Sequence, residues 1–518
     1  MTSIGPYAAT GVGRPSLLQA LSDSRGQMDD LLRQLASGKA SSTYAGLGDG
    51  AAVSLAMRSK LAALDSYHAT SATVDVRVKL MATALTRLEN IGAEYKTIDP
   101  NEYTLTTGSV TIAQSQAAVD LRDAIAQLNT DVGGRFVFSG RATDVKPVIS
   151  ADAMLADDGD KDGLRTLIAD RKLADLGADG RGRIDVSAVS GSSFTVTEEA
   201  SGAFGFKITS LNSTLTNGVA SGPTGTPPSV TLGLTGQPRS GETVRVGMTL
   251  PDGSTEEITL TVKAEGDASA LGDGEFRVGA TAADTASNMQ ASFDLALKTR
   301  ADTALTAASA VQASEEFFNV APGAEPARVS GFDGSYANEA ARVAALQNAT
   351  ALDTADTADR TVQWYVGETG ADDPRKASVA RIDDGVTVAY GARADEKGPR
   401  QIIQSLAVFS AMTFSEDDAN GQARYAALAN RTISSLGSTE TSANIRTMTV
   451  DLASASTSIK AAGERHTAAK GIAEDAIAKV EDVSKEDVAA KILELQTRLQ
   501  ASYQATATLK DLSLVNFI

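Results

Sequence analysis

Apolar residues recur in steps of four and three along both ends of the chain. Leu17, Leu21, Ser24, Met28, Leu31 and Leu35 keep that spacing with one polar position, the a/d stripe of a helix that packs along a seam. Gly38 follows closely and predicts the helix stop. A second stripe runs through Val74, Val78, Met81, Leu85 and Leu88, and a shorter third through Leu121, Ile125, Leu128 and Val132. Gly92 and Asp99-Pro100-Asn101 interrupt the helical signal, as turn residues should. The pattern returns after Arg400. Ile402, Leu406, Phe409 and Thr413 give one short seam, and Met448, Leu452, Ala455 and Ile459 another. The last runs through Val488, Ile492, Leu495 and Leu499 and fades through Ser502, Thr506 and Leu509.

Between these ends the period changes. Glu242–Leu250 and Thr255–Lys263 alternate apolar and polar residues around Pro251-Asp-Gly-Ser254, which predicts a hairpin. Ala377–Ile382 and Val386–Tyr390 around Asp383-Asp384-Gly385 predict a second. Thr281–Lys298 is the best helix within this stretch, and the Gly/Pro-rich run 222–228 reads as a loop or subdomain break. The expected fold class is therefore α+β: long terminal helices forming an antiparallel coiled-coil bundle, with an inserted strand-rich middle domain. Its expected divisions are a helical region 1–145, a middle region 146–398, with a break near 222–228, and a helical region 399–518.

Composition narrows the chemistry. The chain of 518 residues has no Cys, which excludes disulfide scaffolds, thiolate metal sites and thiol nucleophiles. It has two histidines, His68 and His466, both in helical stretches without a recognisable carboxylate constellation, so a solvated or partner-facing role is expected for each. The net charge of −18 argues against nucleic acid and anionic lipid as partners. No apolar run approaches a membrane span, and the opening Met-Thr-Ser-Ile-Gly-Pro-Tyr lacks the basic and apolar regions of a secretory signal, so neither is expected.

Motifs with chemistry are scarce. Asp158-Gly-Asp160-Lys-Asp162-Gly163 resembles the first half of a calcium loop, but the twelfth position, where a bidentate Glu is needed, holds Ala169, with Asp170 one residue late. An acidic turn is the better reading. Gly177–Gly182 lacks the Lys-Ser/Thr pair of a phosphate loop, and no nucleophile elbow or His-Glu-x-x-His occurs. No catalytic residue, metal or cofactor is expected, and the chain reads as a structural protein, not an enzyme.

Four segments carry a resemblance to the bacterial flagellin family. Leu35-Ala-Ser-Gly-Lys39 looks like that family's Leu-x-x-Gly signature, and Gly48–Leu61 resembles the Asp- and Ala-rich segment after it, with Asp49 alone where a pair is common. Gly133-Gly134-Arg-Phe136-Val-Phe138-Ser139-Gly140 closely resembles a block of the family's hook–filament junction members. The end, Leu499–Ala507 and then Leu512-Ser-Leu514-Val-Asn-Phe-Ile518, is also closer to those members than to filament subunits. The resemblance implies a secreted structural subunit of the flagellum, exported by the type III route and located outside the cell. Its implied partners are copies of itself, the other axial proteins (hook and flagellin) and an export chaperone. The implied assembly seam is Leu17, Leu21, Met28, Leu31 and Leu35 with Val488, Ile492, Leu495, Leu499, Leu512 and Leu514. A filament flagellin is the near alternative, and a secreted coiled-coil adhesin or binding module a more distant one.

Overall fold

The computed structural model describes all residues except 1–12, 107–108, 200–201, 321–323, 332–335, 355–358, 416 and 516–518; side chains are described from residue 19 to residue 508. Leu17, Leu512 and Leu514 of the expected seam lie outside the described side chains. The chain is 53% helical and 17% strand, which makes the class mixed α+β. The helices of the first half are α1 (Gly13–Ser37), α2 (Gly50–Glu94), α3 (Ile112–Leu128), α4 (Ala151–Leu155) and α5 (Leu164–Leu176). Those of the second are α6 (Ala282–Arg300), α7 (Thr306–Phe318), α8 (Glu339–Gln347), α9 (Lys397–Ala411), α10 (Gly421–Leu436), α11 (Thr439–Glu481) and α12 (Lys485–Val515).

The residues divide into two compact units. One comprises Met1–Thr73, Ala380–Val388 and Thr457–Ile518; the other comprises Val74–Val379 and Ala389–Ser456. The first unit thus joins the two ends of the chain with a hairpin taken from the middle.

In the second unit, two four-stranded sheets share a core with α6. One sheet orders Ile184–Val186, Ser193–Glu198, Ser229–Leu234 and Gly218–Thr224, all antiparallel. The other orders Glu275–Arg277, Thr255–Lys263, Thr243–Thr249 and Lys207–Ser213, its first pair parallel. The first expected hairpin forms: Val244 lies opposite Leu260 and Val246 opposite Ile258, and all four are buried. Their alternation puts one face of the pair against Met289, Phe293 and Leu297 of α6. Residues 222–228 lie inside one sheet, as the end of the strand Gly218–Thr224 and the 225–228 connection to Ser229–Leu234, and not at a break between subdomains.

Helices are more prominent in the middle of the chain than its alternating runs suggest. The expected helix 281–298 is α6, opened by a capping box in which Thr281 Oγ1 accepts from Asp284 N at 3.1 Å and Thr281 N donates to Asp284 Oδ2 at 3.1 Å. It continues through a π-helical turn at Ala301–Leu305 into α7, which packs on α5, α9 and α10. Helix α5 was hidden because its buried face carries charge. Arg171 is buried between Asp175, at 2.9 Å, and Glu316, so the apolar period is broken where the helix is most enclosed.

Helix α9 is buried on nearly every side, including Ile402, Ile403, Leu406, Val408 and Phe409, as a helix at the centre of a unit must be. Its expected seam therefore understated it, and Thr413 does not extend that seam. Thr413 is exposed beyond the helix end, and Phe414 is buried instead. Gln114 of α3 satisfies that end: its Nε2 donates to the carbonyls of Phe409 at 2.9 Å and Met412 at 2.7 Å.

Candidate assembly interface

The two ends of the chain meet in the first unit. Helices α1 and α12 pack against each other and run antiparallel, since Gly38 lies beside Lys485 while Arg25 Nη2 donates to Tyr503 Oη at 3.1 Å. Along α12, Val488, Ile492 and Leu495 are buried and Leu499 is half-buried. Along α1, Leu21, Ser24, Met28, Leu31 and Leu35 are half-buried, while most positions between them are exposed. The 4-3 stripes on the two helices are thus brought together where side chains are described. The outward faces also carry apolar residues: Leu32 is 47% exposed, Leu493 64% and Ile472 of α11 70%.

A small polar joint closes this helix pair. Gly38 ends α1 in the left-handed region (φ +70°), its N–H bonded to Gln34 O at 2.7 Å, as the sequence predicts for a stop. Ala40 N donates to Glu481 O at 2.6 Å and Val483 N to Gly38 O at 3.0 Å, a short two-stranded bridge between the loop after α1 and the turn after α11. Glu481 takes Arg58 Nη2 at 2.7 Å, Arg58 Nε at 3.0 Å and the Ser54 hydroxyl, with Lys39 Nζ at 3.6 Å. The Arg58 bonds above all, then that of Ser54, hold its carboxyl down at about 2, against the opposing pull of burial. Sequence reasoning did not single out this glutamate. Its only signal is a charged residue where the 4-3 stripe of α11 reaches the helix end.

Farther along the same unit, α2 and α11 are paired antiparallel, with Lys470 Nζ on Asp65 Oδ1 at 3.0 Å. His466 corrects the expectation of a solvated or partner-facing ring. It is 3% exposed, stacks on Tyr67 with centroids 5.8 Å apart, and lies 3.3 Å from Asp383 at the tip of the second expected hairpin. The reason is its position: 466 continues the stripe of Leu452, Ala455, Ile459 and Ala462, all buried, so the ring is drawn into the seam. His68 is exposed. Arg465 Nη2 also reaches Asp383 at 2.9 Å and Arg381 stands 5.5 Å over the Tyr67 ring, so the hairpin Ala380–Val388 is fastened by charge and aromatic contact. Arg465 chiefly, then the Asp384 N–H, holds the Asp383 carboxyl below the usual range.

The segment Gly133–Gly140 lies in the second unit and ties backbone segments together. Gly133 and Gly134 (φ +62° and +76°) make the two-residue turn between Asp131–Val132 and Arg135–Phe136, which only glycine-like backbones fit readily. Phe136 is half-buried; Phe138 and Ser139 are fully buried. The chain here ties three segments together: Val137 N donates to Thr130 O at 3.1 Å, Ala394 N to Phe138 O at 2.9 Å and Glu368 N to Ser139 O at 3.1 Å. Gly140 (φ +65°) follows against the Glu368 side chain, whose Oε2 accepts from Arg141 N at 2.8 Å.

The acidic turn meets arginine at its last aspartate. Asp158 and Lys161 exchange backbone bonds at 2.8 and 3.1 Å, while Asp162 receives Arg328. Asp170 takes Arg342 at 2.7 Å and Arg328 at 3.6 Å; burial raises its carboxyl against the pull of both arginines. Asp160 is exposed. No group of three or more His, Asp or Glu side chains that could hold a metal ion occurs among the described residues. No family model, curated protein or solved structure matches the chain.

Proposed function

We propose that the chain is a structural subunit of the bacterial flagellum that assembles at the hook–filament junction, in the manner of hook-associated protein 3. In this reading it acts outside the cell, its partners are copies of itself, hook protein and flagellin, and it performs no catalysis. An export chaperone would accompany it before secretion. The terminal helices form an antiparallel coiled-coil bundle whose remaining apolar faces are covered by neighbouring subunits.

The observation that carries this reading is the set of large apolar side chains left exposed on α1, α11 and α12. Leu32, Leu493 and Ile472 stay exposed on helices whose inner stripes are buried in α11 and at most positions of α12, and half-buried in α1. A free monomer gains nothing from them, whereas a helical array buries them. Leu493→Asp combined with Ile472→Asp tests it. The double variant should keep the monomer's circular dichroism and thermal midpoint but fail to enter the axial structure. Normal incorporation would refute the reading. Deleting the gene separates the near alternatives: flagellin released into the medium marks a junction protein, and a bare hook with no other exported flagellin marks the filament subunit.

A further inference from the structure

The second unit contains a cleft of about 310 Å³ that no part of the assembly reading uses. This size is at the lower end of the roughly 300–1,000 Å³ typical of small-molecule sites. One wall is aromatic: Phe318, Trp364 and Tyr365 follow one another with centroids 5.2 and 5.8 Å apart. The Trp364 indole N–H is already donated to Phe318 O at 3.2 Å, so that ring presents the cleft with an apolar surface. The wall is held in place by backbone bonds, Ile149 N to Trp364 O at 3.2 Å and Val366 N to Pro147 O at 2.8 Å.

Charge around the cleft is unevenly spent. Asp395 lines it, but both of its oxygens are taken by Arg393. Glu325 accepts from Gln363 Nε2 at 2.9 Å. Arg400, in the first turn of α9, makes no ion pair among the described residues, and its Nε is buried without a hydrogen-bond partner. Tyr365 Oη is likewise unpartnered.

We propose that this cleft binds a small organic carboxylate with a flat apolar body, the carboxylate on Arg400 and the body against Trp364 and its aromatic neighbours. The guanidinium fork matches a carboxylate, and the aromatic wall matches a ring or planar chain. The site is independent of the helical ends and of the assembly reading.

Trp364 is the only tryptophan of the chain, so its fluorescence reports the cleft directly. The full chain is titrated with 3-phenylpropanoate, its uncharged amide 3-phenylpropanamide, and 3-phenylpropylamine; saturation-transfer NMR on the ligand ring gives a second readout. The carboxylate should bind saturably, with Kd of ~1 mM or tighter. The amide and the amine should bind roughly tenfold more weakly or worse, as loss of a charged hydrogen bond requires. Arg400→Gln should remove the preference for the carboxylate, and Ala324→Phe, which fills the cleft, should abolish binding of all three. No saturable signal in folded protein, or a carboxylate bound no better than the amide, overturns the proposal. Tighter binding of the amine would assign the cleft's charge to Glu325 and overturn it equally. The ligand series needs no variant, so a poorly folded Arg400→Gln would not blunt the test.

Discussion

Replacing Leu495 by Asp tests how the two ends of the chain hold together. Leu495 is 6% exposed, on the inner stripe of α12. Losing its burial removes about 2 kcal/mol of hydrophobic stabilisation, and forcing a carboxylate into the same place adds a further penalty, so about 3 kcal/mol is a lower estimate. Its neighbours cannot absorb that loss. The facing residues of α1 are only half-buried. Terminal elements of this kind open locally at a cost of only a few kcal/mol. The substitution should therefore raise amide exchange along 19–37 and 485–508 by roughly a hundredfold, each tenfold step costing about 1.4 kcal/mol. Exchange within the strands Thr243–Thr249 and Thr255–Lys263 should stay as in the parent, since they belong to the other unit. Hydrogen–deuterium exchange with mass spectrometry reads both regions in one experiment. Unchanged protection along α12, or equal loss in those strands, would refute the pairing of the two stripes.

Three further outcomes are expected. Glu481 is ionised down to about pH 2 in the folded chain, below the ordinary range, so its ion pairs stabilise fully above the unfolded value and fade as pH falls toward 2. The thermal midpoint of Glu481→Gln should fall below the parent's above pH 5, and the gap should narrow on acidification; a gap that widens in acid would reverse the sign. Tyr95→Phe leaves buried Asp120 without the hydroxyl donor 3.0 Å away and should cost about 1–3 kcal/mol in denaturant unfolding, whereas no loss would mean that Gln116 alone satisfies the carboxylate. Phe293→Ala empties the centre of the sheet-and-helix core and should cost about 3–5 kcal/mol; a value under 1 would contradict its full burial.

What the sequence disclosed followed from side-chain size and sign. Large apolar residues on a 4-3 spacing, such as Leu31 or Leu495, marked seams that the structure brings together. The continuation of α11 through Ala462, His466 and Ala473 is equally buried, but alanine and histidine do not register as a stripe. Alternation disclosed the hairpins, because one face of each strand was apolar. Helix α5 escaped notice, since Arg171 and Asp175 occupy its most buried turn and compensate each other only in three dimensions. The joint at Glu481 depends on partners more than 400 positions away, Ser54 and Arg58, which no local pattern connects. The Asp158 turn imitates a cation loop in its spacing, but lacks the closing Glu and gives its last carboxylate, Asp162, to Arg328, which no local pattern connects to it.

The π-helical turn at Ala301–Leu305 makes one long helix serve two different surroundings. Each residue of an α-helix advances about 100° around the axis, and a π turn spends one residue more, so everything after it sits about 100° back from where an unbroken α-helix would put it. The rotation lets Met289, Phe293 and Leu297 face strands while Ala307, Ala310 and Phe317 face other helices. Removing one residue from 301–305 would restore a plain helix and keep Phe317 on its present face, whereas straightening the turn with the count unchanged would swing Phe317 by about 100°. At this point the chain encodes a count, and only secondarily an alphabet.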